Sequence, residues 1–388
     1  MNHNWTYKKL GEVGTVIGGS TPKTDNPEFW DGDYSWITPA ELDGSKYVSS
    51  TVRTITEKAV AKTNLTLLPI GTVLLSSRAP IGKVCITKIP MYCNQGFKNI
   101  VCSDELNNEY LYWWLKGKNE YLNSLGVGAT FKEISKRIVE QIPIPLPPLE
   151  TQSRIVAELD LLQSIIDKQQ AQLKELDTLA QSIFYDMFGD PVDNDKGWEV
   201  KMLGEVCSKI TDGTHNSPIN TSVGDFPYIT AKNIKKDGID LSDLTYVSKE
   251  VHKEIYSRCN PEVGDVLYIK DGITTGIAQV NVLDFEFSLL SSVALLKLNR
   301  SVINAYFVVG FLNNDSTYKK ARSNMGGAAI TRLTLVKIKN MDIIVPPLSL
   351  QQEFAEKIEK IERQKTAISQ SIAETQKLFD YTMDKYFG

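Results

Sequence analysis

The sequence predicts an α+β protein in which a mixed α/β module followed by a long helix occurs twice. Pro-Pro-Leu begins a helical segment at Pro147 and again at Pro346, and Phe-Gly ends these segments at Phe188 and Phe387. Both pairs are 199 residues apart, so the two segments align without a gap. An internal repeat of this kind decides the fold class more strongly than a local motif does. We therefore expect two similar modules, related by a pseudo-two-fold internal duplication and joined by two long antiparallel helices that form an intramolecular coiled coil.

The segments before the helices repeat as well. Trp5 and the run Leu-Gly-Glu-Val at 10–13 recur as Trp198 and the same run at 203–206. The expected division is a first module over residues 1–147, a first helix over 148–189, a linker with the second module over 190–345, and a second helix over 346–388. A chain of 388 residues has room for this organisation.

Matched pairs of short strands are predicted inside the modules. Aromatic and β-branched runs bounded by glycine and aspartate indicate strands. A glycine-containing turn is expected after the second pair of strands, followed by a short apolar helix. The predicted strand pairs are 34–38 with 226–230 and 71–75 with 264–268, the helices are 110–115 and 306–312, and a Gly-Ala turn is expected at 128–130 and 327–329.

A heptad pattern runs through both helical segments, because apolar residues recur at alternating steps of three and four. Each segment has about 37 residues and should be about 55 Å long. Pairing of the two helices within the chain buries both apolar stripes, and pairing between two chains is the alternative. The predicted interface residues are Leu159, Leu162, Ile166, Leu173, Leu176 and Ile183 on the first helix, and Ile358, Ile361, Ile368, Ile372 and Phe379 on the second.

Charge is distributed unevenly along the chain. The net charge is −4, but the acidic excess lies on the helical segments and both modules are mildly basic. Basic stretches at 132–137, 232–236 and 319–322 could form a surface that faces phosphates. Taken alone, each stretch is interpreted first as solvated protein surface, with phosphate binding as the alternative. The helix acids Glu158, Asp160, Asp167 and Asp177 are expected to be solvated, with docking of partner subunits as the less favoured alternative.

Residue types that would support an enzyme are sparse. The chain has three histidines, its five cysteines form no CxxC pair, and it contains no GxxxxGK[ST] phosphate loop. Asn26-Pro27-Glu28-Phe29 resembles the Asn-Pro-Pro-aromatic motif of adenine methyltransferases but lacks its second proline. We predict no catalytic residues, no metal site and no cofactor bound by this chain. Reduced thiols and the lack of a signal-peptide pattern or a long apolar run indicate a cytoplasmic protein without a membrane segment.

Polar loops at matching places in the two modules are suited to reading DNA. Sequence readout requires donors and acceptors that reach base edges, with lysine or arginine nearby for phosphates. An ordinary polar turn is the alternative for any one loop. The predicted DNA-binding residues are Ser20, Thr21, Lys23, Arg78, Lys83, Gln95, Lys98 and Lys132 in the first module, and Thr214, His215, Asn216, Lys232, Asn233, Lys270, Thr274, Thr275 and Arg332 in the second.

The two copies differ in these loops while their framework residues persist. Arg78 has Asp271 or Gly272 as its approximate counterpart. If the loops read bases, the two half-sites must differ. The sequence therefore predicts a bipartite, non-palindromic target.

Taken together, the repeat resembles the specificity (S) subunit of type I restriction–modification systems. The similarity covers the whole chain, and it depends on the Leu-Gly-Glu-Val starts and on the Pro-Pro-Leu-x-x-Gln entries at 147–152 and 346–351. The resemblance implies two target-recognition domains that read short half-sites of double-stranded DNA from the major groove, with the helix pair setting their spacing. It also implies two methyltransferase subunits, and optionally two restriction subunits, as partners. S-adenosylmethionine, ATP and Mg²⁺ would be bound by those subunits.

Two other functions remain open at this point. One is a stand-alone DNA methyltransferase or nuclease with a degenerate motif around Asn26. The other is a coiled-coil scaffold that recruits proteins without touching DNA. Salt discriminates between DNA binding and the scaffold, because neutralisation of phosphates makes affinity fall steeply with ionic strength.

Overall fold

A computed structural model describes residues 5–78, 80–128, 132–323 and 332–388 of the chain. The chain divides into two compact units. Unit 1 comprises Met1–Gln169 and Ser371–Gly388, and unit 2 comprises Gln170–Gln370. The Gly-Ala turns expected at 128–130 and 327–329 lie outside the described residues, except for Gly128.

Unit 1 is a mixed α/β module. Its strands pair in the order β2-β9-β6-β7-β4 in one sheet and β5-β3-β8 in a second, and β1 pairs with β10. The strands are β1 Thr6–Lys9, β2 Gly14–Gly18, β3 Trp30–Ile37, β4 Tyr47–Val48, β5 Arg53–Ile55, β6 Val73–Leu75, β7 Val84–Thr87, β8 Tyr92–Cys93, β9 Lys98–Cys102 and β10 Pro143–Leu146. The helices are α1 Leu10–Val13, α2 Glu57–Lys62, α3 Asn108–Gly117, α4 Asn119–Ser124 and α5 Lys136–Gln141, with 3₁₀ turns at Pro27–Phe29 and Pro39–Glu41.

Unit 2 repeats this plan. Its strands pair in the order β12-β20-β17-β18 in one sheet and β16-β13-β19 in a second, with the pairs β11-β21 and β14-β15. The strands are β11 Glu199–Met202, β12 Cys207–Asp212, β13 Phe226–Ile229, β14 Ile234–Lys235, β15 Gly238–Ile239, β16 Thr245–Val247, β17 Val266–Ile269, β18 Ala278–Val280, β19 Ser288–Leu289, β20 Val293–Leu298 and β21 Asp342–Val345. The helices are α7 Lys249–Arg258, α8 Ala305–Asn313, α9 Asp315–Ser323 and α10 Leu335–Lys339, with a 3₁₀ turn at Ala231–Asn233.

The predicted duplication is confirmed strand by strand. The order β2-β9-β6-β7 in unit 1 corresponds to β12-β20-β17-β18 in unit 2, and β5-β3-β8 corresponds to β16-β13-β19. Both copies have a parallel pair in the second sheet, β3 with β8 and β13 with β19, and unit 1 has a further parallel pair, β4 with β7. The strands predicted to begin at Gly71 and Gly264 begin two residues later. Both glycines have a φ of +85°, so they belong to the preceding turn.

Two helices of 40 residues, α6 Leu149–Phe188 and α11 Leu348–Phe387, complete the chain. At 1.5 Å per residue each is about 60 Å long. In unit 1, Gln169 donates to Ser371 at 2.7 Å and Tyr386 donates to Glu158 at 2.7 Å. The residue numbers of the contacts decrease along α11 as they increase along α6, so the segments of the two helices in this unit pair antiparallel.

The helix segments in unit 2 pair in the same sense. Lys365 on α11 forms an ion pair of 2.9 Å with Asp177 on α6, and the rings of Phe184 and Phe354 make an edge contact. Lys365 is a buried lysine at a heptad position, flanked also by Glu362 at 3.1 Å. A single polar residue at such a position specifies register in coiled coils. The two helices thus pair within the chain in each unit, as predicted.

The residues predicted for the helix interface are buried or half-buried. Those that are buried are Leu159, Leu162, Ile166, Leu176, Ile361 and Phe379, and those that are half-buried are Leu173, Ile183, Ile358, Ile368 and Ile372. A second apolar stripe was missed. Phe184 and Phe188 pack against Phe307 of α8 as well as Phe354 of α11, so α6 contacts the module in addition to its partner helix.

The glutamine of each Pro-Pro-Leu-x-x-Gln entry has a structural role. Gln152 and Gln351 are fully buried. The Oε1 atom of Gln351 accepts from the backbone N–H of Asn304 at 2.9 Å, and its Nε2 atom donates to the carbonyl of Pro346 at 2.8 Å. Gln152 makes the same two contacts, with Asn107 and Pro147. Each glutamine thus ties the start of a long helix to the start of α3 or α8.

Replacing Gln351 with alanine is expected to destabilise unit 2 by about 1–3 kcal/mol, because a buried N–H and a buried carbonyl lose their partner. The adjacent Gln352 is exposed and provides the matched control, and Gln352→Ala should change stability by less than about 0.5 kcal/mol. Urea denaturation of both variants measures the difference. Equal stabilities would contradict the role assigned to Gln351.

Candidate nucleic-acid interface

Equivalent loops gather at one end of the main sheet in each unit. We define cluster 1 as residues 19–23, 77–78, 80–83, 94–98 and 132–134 of unit 1. We define cluster 2 as residues 212–217, 270–276, 290–292 and 332–333 of unit 2. Each cluster is built by the ends of the paired strands β2, β9 and β6, or by those of β12, β20 and β17.

A glycine holds the first loop of each cluster close to a neighbouring strand. The N–H groups of Ser20 and Thr214 donate to the carbonyls of Cys93 and Leu289, both at 2.9 Å. A Cβ atom added to the preceding glycine, Gly19 or Gly213, would lie 1.9 Å from a backbone oxygen. Only glycine permits this approach. The polar loops that follow are therefore fixed to the sheet at the same place in both copies.

The next turn in cluster 1 is attached to the helix α4. Asn119 and Asn123 donate from their side-chain amides to the carbonyls of Gly82 and Ile81, both at 3.3 Å. The φ of Gly82 is +93°, a conformation that favours glycine. The backbone at this turn is thereby set by a helix of the module.

In cluster 2 the corresponding turn is attached to α9 by a different residue. Arg322 occupies the position 199 residues after Asn123, and its Nη1 atom donates to the carbonyls of Ile273 at 2.9 Å and Thr275 at 3.2 Å. Gly276, with a φ of +105°, corresponds to Gly82. Both turns are thus supported by the same helix of the repeat.

Backbone hydrogen bonds establish which loop residues are equivalent. The N–H of Ser77 donates to Gly96 at 2.8 Å, as that of Lys270 donates to Ser292 at 2.9 Å. The carbonyls of Ser77 and Lys270 in turn accept from Ile134 and Leu333. Ser77 and Lys270 therefore occupy the same position in the repeat.

At the next position of the repeat, the two copies carry residues of opposite charge. Arg78 forms a β-bridge with Glu133 in cluster 1, whereas Asp271 forms the equivalent bridge with Arg332 in cluster 2. Arg332 Nε also lies 3.0 Å from Asp271 Oδ1. The expected counterpart of Arg78 is thus Asp271 rather than Gly272. One scaffold presents an arginine in one copy and an aspartate in the other.

A lysine ammonium group lies at the base of each cluster, but different strands supply it. In cluster 1, Lys98 of β9 lies 3.3 Å from the Ser77 hydroxyl and 3.0 Å from Glu133. In cluster 2, the residue equivalent to Ser77 is itself the lysine, Lys270. It forms ion pairs with Asp212 at 3.3 Å and with Asp271 at 3.2 Å.

The outer face of cluster 1 carries polar groups that have capacity to bind. Thr21 donates its hydroxyl hydrogen to Gln95 Oε1, which orients the exposed amide of Gln95. Within the described part of the chain, the side chains of Lys23, Arg78 and Lys132 have no hydrogen-bond or ion-pair partner. Ser20 is half-buried and contributes its backbone, since its carbonyl accepts from Trp36 at 3.1 Å.

The basic side chains of cluster 2, by contrast, lie beside acids. His215 Nε2 lies 3.3 Å from Asp212. Outside the cluster, Lys232 lies 2.8 Å from Asp243. Sequence reasoning missed Arg258, whose Nη2 atom donates to the Gly213 carbonyl at 2.6 Å. It reaches the cluster from α7, a contact that no local pattern encodes.

Other predicted residues of this cluster do present polar groups to solvent. Asn216 and Thr274 are exposed, and Thr214 is half-buried, with its hydroxyl donating to the Asn216 carbonyl at 3.1 Å. These groups can hydrogen-bond to base edges without bringing a free positive charge.

Four residues predicted to bind DNA have other partners, and we withdraw them as contacts. Lys270 is 2% exposed and its ammonium is held by two carboxylates, so it cannot reach a phosphate. Thr275 is fully buried and donates to Gly272. Asn233 is buried and its Oδ1 accepts from the backbone N–H of Thr230 at 3.0 Å. Lys83 donates to the carbonyls of Leu42 at 2.8 Å and Pro39 at 3.3 Å. Lys270 and Lys83 are engaged by residues distant in the sequence, whereas Thr275 and Asn233 bond to residues three positions away.

The helix acids expected to be solvated are in part used internally. Asp160 accepts from Lys46 at 2.6 Å and from the indole of Trp113 at 2.8 Å. Glu158 and Asp177 have the partners on α11 described above. Asp167 accepts from Gln163 on its own helix at 2.8 Å. The acids thus attach α6 to its module and to α11.

Two arrangements that resemble catalytic sites have structural roles. Asn26 accepts from the Glu28 N–H at 3.1 Å and caps the 3₁₀ turn Pro27–Phe29. His252 lies between Ser288 Oγ at 3.1 Å and Glu286 Oε2 at 3.2 Å, a triad-like arrangement. Ser288 is 0% exposed, so a substrate cannot reach its hydroxyl.

The thiols are also unsuited to chemistry. All five cysteines are free, and burial raises the pKa of each thiol to about 12. A thiol with that pKa has very little thiolate at neutral pH. Among the described residues, no group of three or more His, Cys, Asp or Glu side chains is placed to hold a metal ion. Over the ranges that the structure describes, no helix is both long enough and apolar enough to cross a membrane.

Comparison with known proteins assigns a family to this arrangement. The type I restriction modification DNA specificity domain matches the chain twice, over residues 2–178 and 195–376. The MjaIX specificity subunit, from a type I restriction enzyme of Methanocaldococcus jannaschii, is 33% identical over 376 residues, covering 90% of this chain and 85% of that protein. The EcoBI specificity subunit of Escherichia coli is 23% identical over 300 residues, covering 70% and 62%.

Solved structures agree with this result at the level of the fold. The S subunit of a type I restriction-modification system from M. genitalium matches with a TM-score of 0.61 at 16% identity, covering 100% of this chain and 97% of that one. A second structure, from a study of complex assembly and conformational transition of the type I R-M system, matches with a TM-score of 0.58 at 20% identity, covering 99% and 97%. The two family matches and the long relative of 33% identity establish that the chain belongs to the type I restriction modification DNA specificity domain family.

Proposed function

We propose that the chain is the non-catalytic specificity subunit of a type I restriction–modification complex, with clusters 1 and 2 reading two different half-sites of one DNA duplex. One observation carries the proposal: Arg78 and Asp271 hold opposite charges at equivalent places of a repeated scaffold. Identical half-sites would require similar groups at those places. The relatives MjaIX and EcoBI are both specificity subunits, which supports the same role.

Cluster 1 has the groups that a guanine-containing half-site requires. An arginine can donate two hydrogen bonds to N7 and O6 of guanine in the major groove, which is the commonest specific contact in protein–DNA complexes. Arg78 suits this role because no carboxylate among the described residues forms an ion pair with it. Gln95, oriented by Thr21, can bond to the N6 and N7 atoms of adenine. Lys23 and Lys132 would bind phosphates and set the position on the duplex.

Cluster 2 would read its half-site with fewer unpaired positive charges than cluster 1. Arg332 is paired with Asp271, so its positive charge is largely offset, and His215 lies beside Asp212. Asn216, Thr214 and Thr274 supply hydrogen-bonding groups that discriminate between bases. The two half-sites therefore should differ in both sequence and sensitivity to salt, with the first half-site more sensitive.

Replacing Arg78 with alanine tests the proposal. We expect the discrimination at one base pair of one half-site to fall by about 1–3 kcal/mol, or roughly 5- to 150-fold, while the other half-site is unchanged. Selection of targets from a random duplex library by the full chain, before and after the substitution, measures this change. Arg154→Ala on α6 is the matched control, since Arg154 is exposed and lies outside both clusters. Loss of preference spread evenly over both half-sites would refute the assignment.

The chemistry of the complex would come from its partners. Two methyltransferase subunits would bind S-adenosylmethionine, and two restriction subunits, where a system has them, would use ATP and Mg²⁺. The supporting fact here is that Asn26 caps a 3₁₀ turn and that His252 and Ser288 are buried. The similarity in fold to a structure solved in work on assembly of the type I R-M system supports docking of such subunits.

We further propose that α6 and α11 fix the number of unread base pairs between the half-sites. Both are continuous over 40 residues, and each has one part in unit 1 and the other in unit 2. A helix of about 60 Å spans roughly 18 base pairs at 3.4 Å each. That length is on the scale of two short half-sites and a gap.

A further inference from the structure

The most exposed apolar side chain of cluster 2 is at the tip of its turn. Ile273 is 90% exposed, and Thr274 beside it is also exposed. Single exposed apolar residues are common on protein surfaces, so exposure alone assigns no role. A role for Ile273 must therefore be inferred from its contacts and its position in the cluster.

The backbone around Ile273 is rigidly held. Arg322 donates to the Ile273 carbonyl at 2.9 Å, and Thr275 donates its hydroxyl hydrogen to the Gly272 carbonyl at 2.7 Å. Gly272 and Gly276, with φ of +102° and +105°, bracket the turn. The isoleucine is therefore presented to solvent by a fixed backbone, and binding there would need little additional ordering.

The position of Ile273 places it among the groups proposed to face DNA. It is two residues after Asp271, the counterpart of Arg78, and Asp271 is paired with Arg332. In cluster 1, Ile81 precedes Gly82 as Thr275 precedes Gly276, and both residues are buried, so Ile81 is not the counterpart of Ile273. The exposed residue described in the cluster 1 turn is Pro80, so an exposed side chain is common to both turns, and an isoleucine there is specific to the second copy.

We infer that Ile273 contacts the 5-methyl group of a thymine in the half-site read by unit 2. In the major groove, the thymine methyl is the apolar group that distinguishes one base from the others, and apolar side chains read it by contact. A single isoleucine is far too small to be a protein–protein interface of its own. The inference rests on the proposed function and names one base that cluster 2 selects.

Replacing each thymine of the target by deoxyuridine tests the inference, since this removes only the methyl group. The full chain first selects its target from a random duplex library, and binding is then measured on duplexes with one substitution each. At one position of one half-site we expect affinity to fall about four-fold, the value for one buried methyl group. Ile273→Ala should weaken binding to the thymine duplex to a similar extent and should remove the effect of deoxyuridine at that position.

Val263→Ala is the matched control. Val263 is 53% exposed and precedes β17, whereas Ile273 follows the other end of the same strand. This variant should bind normally and keep its sensitivity to deoxyuridine. If the chain selects a target that responds to no deoxyuridine substitution, or if Ile273→Ala and deoxyuridine act additively, the thymine contact is refuted while DNA reading stands. A chain that selects no sequence at all would instead overturn the proposed function.

Discussion

Replacing Lys270 with alanine is expected to destabilise unit 2 by about 3 kcal/mol, at the lower end of the range for breaking a buried ion pair. Lys270 and Asp212 are both 2% exposed in their side chains, and the substitution leaves the aspartate without its nearest buried cation. Arg258, 3.5 Å from Asp212, reduces the penalty without removing it. The effect should be local, because Lys270 lies where β17 enters the turn of cluster 2.

Native-state hydrogen exchange of the β17 and β20 amides measures this loss in unit 2 specifically. The matched control is Lys98→Ala in cluster 1, where the partner Glu133 is 41% exposed and can be solvated. That variant should lose less than about 1 kcal/mol. Lys270→Met combined with Asp212→Leu should recover most of the stability, since two apolar residues can replace a buried pair. Equal losses in the two alanine variants would contradict the burial argument.

Lengthening both long helices is expected to change the DNA target rather than abolish binding. Seven residues inserted after Gln169 in α6 and after Gln370 in α11 add about 10 Å while they preserve the heptad pattern. In the sequence, these insertion points are where the residues of one unit end and those of the other begin, next to the hydrogen bond from Gln169 to Ser371. We expect the gap between half-sites to grow by about three base pairs, with both half-site sequences unchanged.

A chain with the insertion in α6 alone is the appropriate control. It shifts the register of α6 against α11, so contacts such as Lys365 with Asp177 cannot form together with Tyr386 and Glu158. This variant should lose stability and sequence-specific binding. If it instead bound the original target normally, pairing of the helices would not control the spacing.

The repeat and the heptad pattern could be predicted because both are properties of short segments. Apolar residues spaced by three and four along α6 indicated that Leu159, Ile166 and Leu176 are buried, as the structure shows. The offset of 199 residues aligned α6 with α11. The strands that begin at Val73 and Val266 were also predicted from a local pattern. The predicted strands began two residues too early, at glycines that belong to the preceding turns.

The roles of the loop residues could not be predicted, because they depend on contacts between distant segments. Lys270 looked like a phosphate ligand, yet Asp212, 58 residues earlier in the chain, holds it inside the unit. In cluster 1 the corresponding ammonium belongs to Lys98 and a serine occupies the position of Lys270. Sequence position alone gives no means of telling which of two strands supplies such a group. The signature glutamines, Gln152 and Gln351, were visible as a motif, but their function became clear only from their buried hydrogen bonds.

The DNA targets of the natural chain and of the doubly extended chain should be mapped with the same random duplex library. This comparison tests whether the helix pair sets the distance between two half-sites. We expect two unlike half-sites for the natural chain, and the same two half-sites about three base pairs further apart for the extended one. A single palindromic target, or a gap that does not change when both helices are lengthened, would contradict the proposed function.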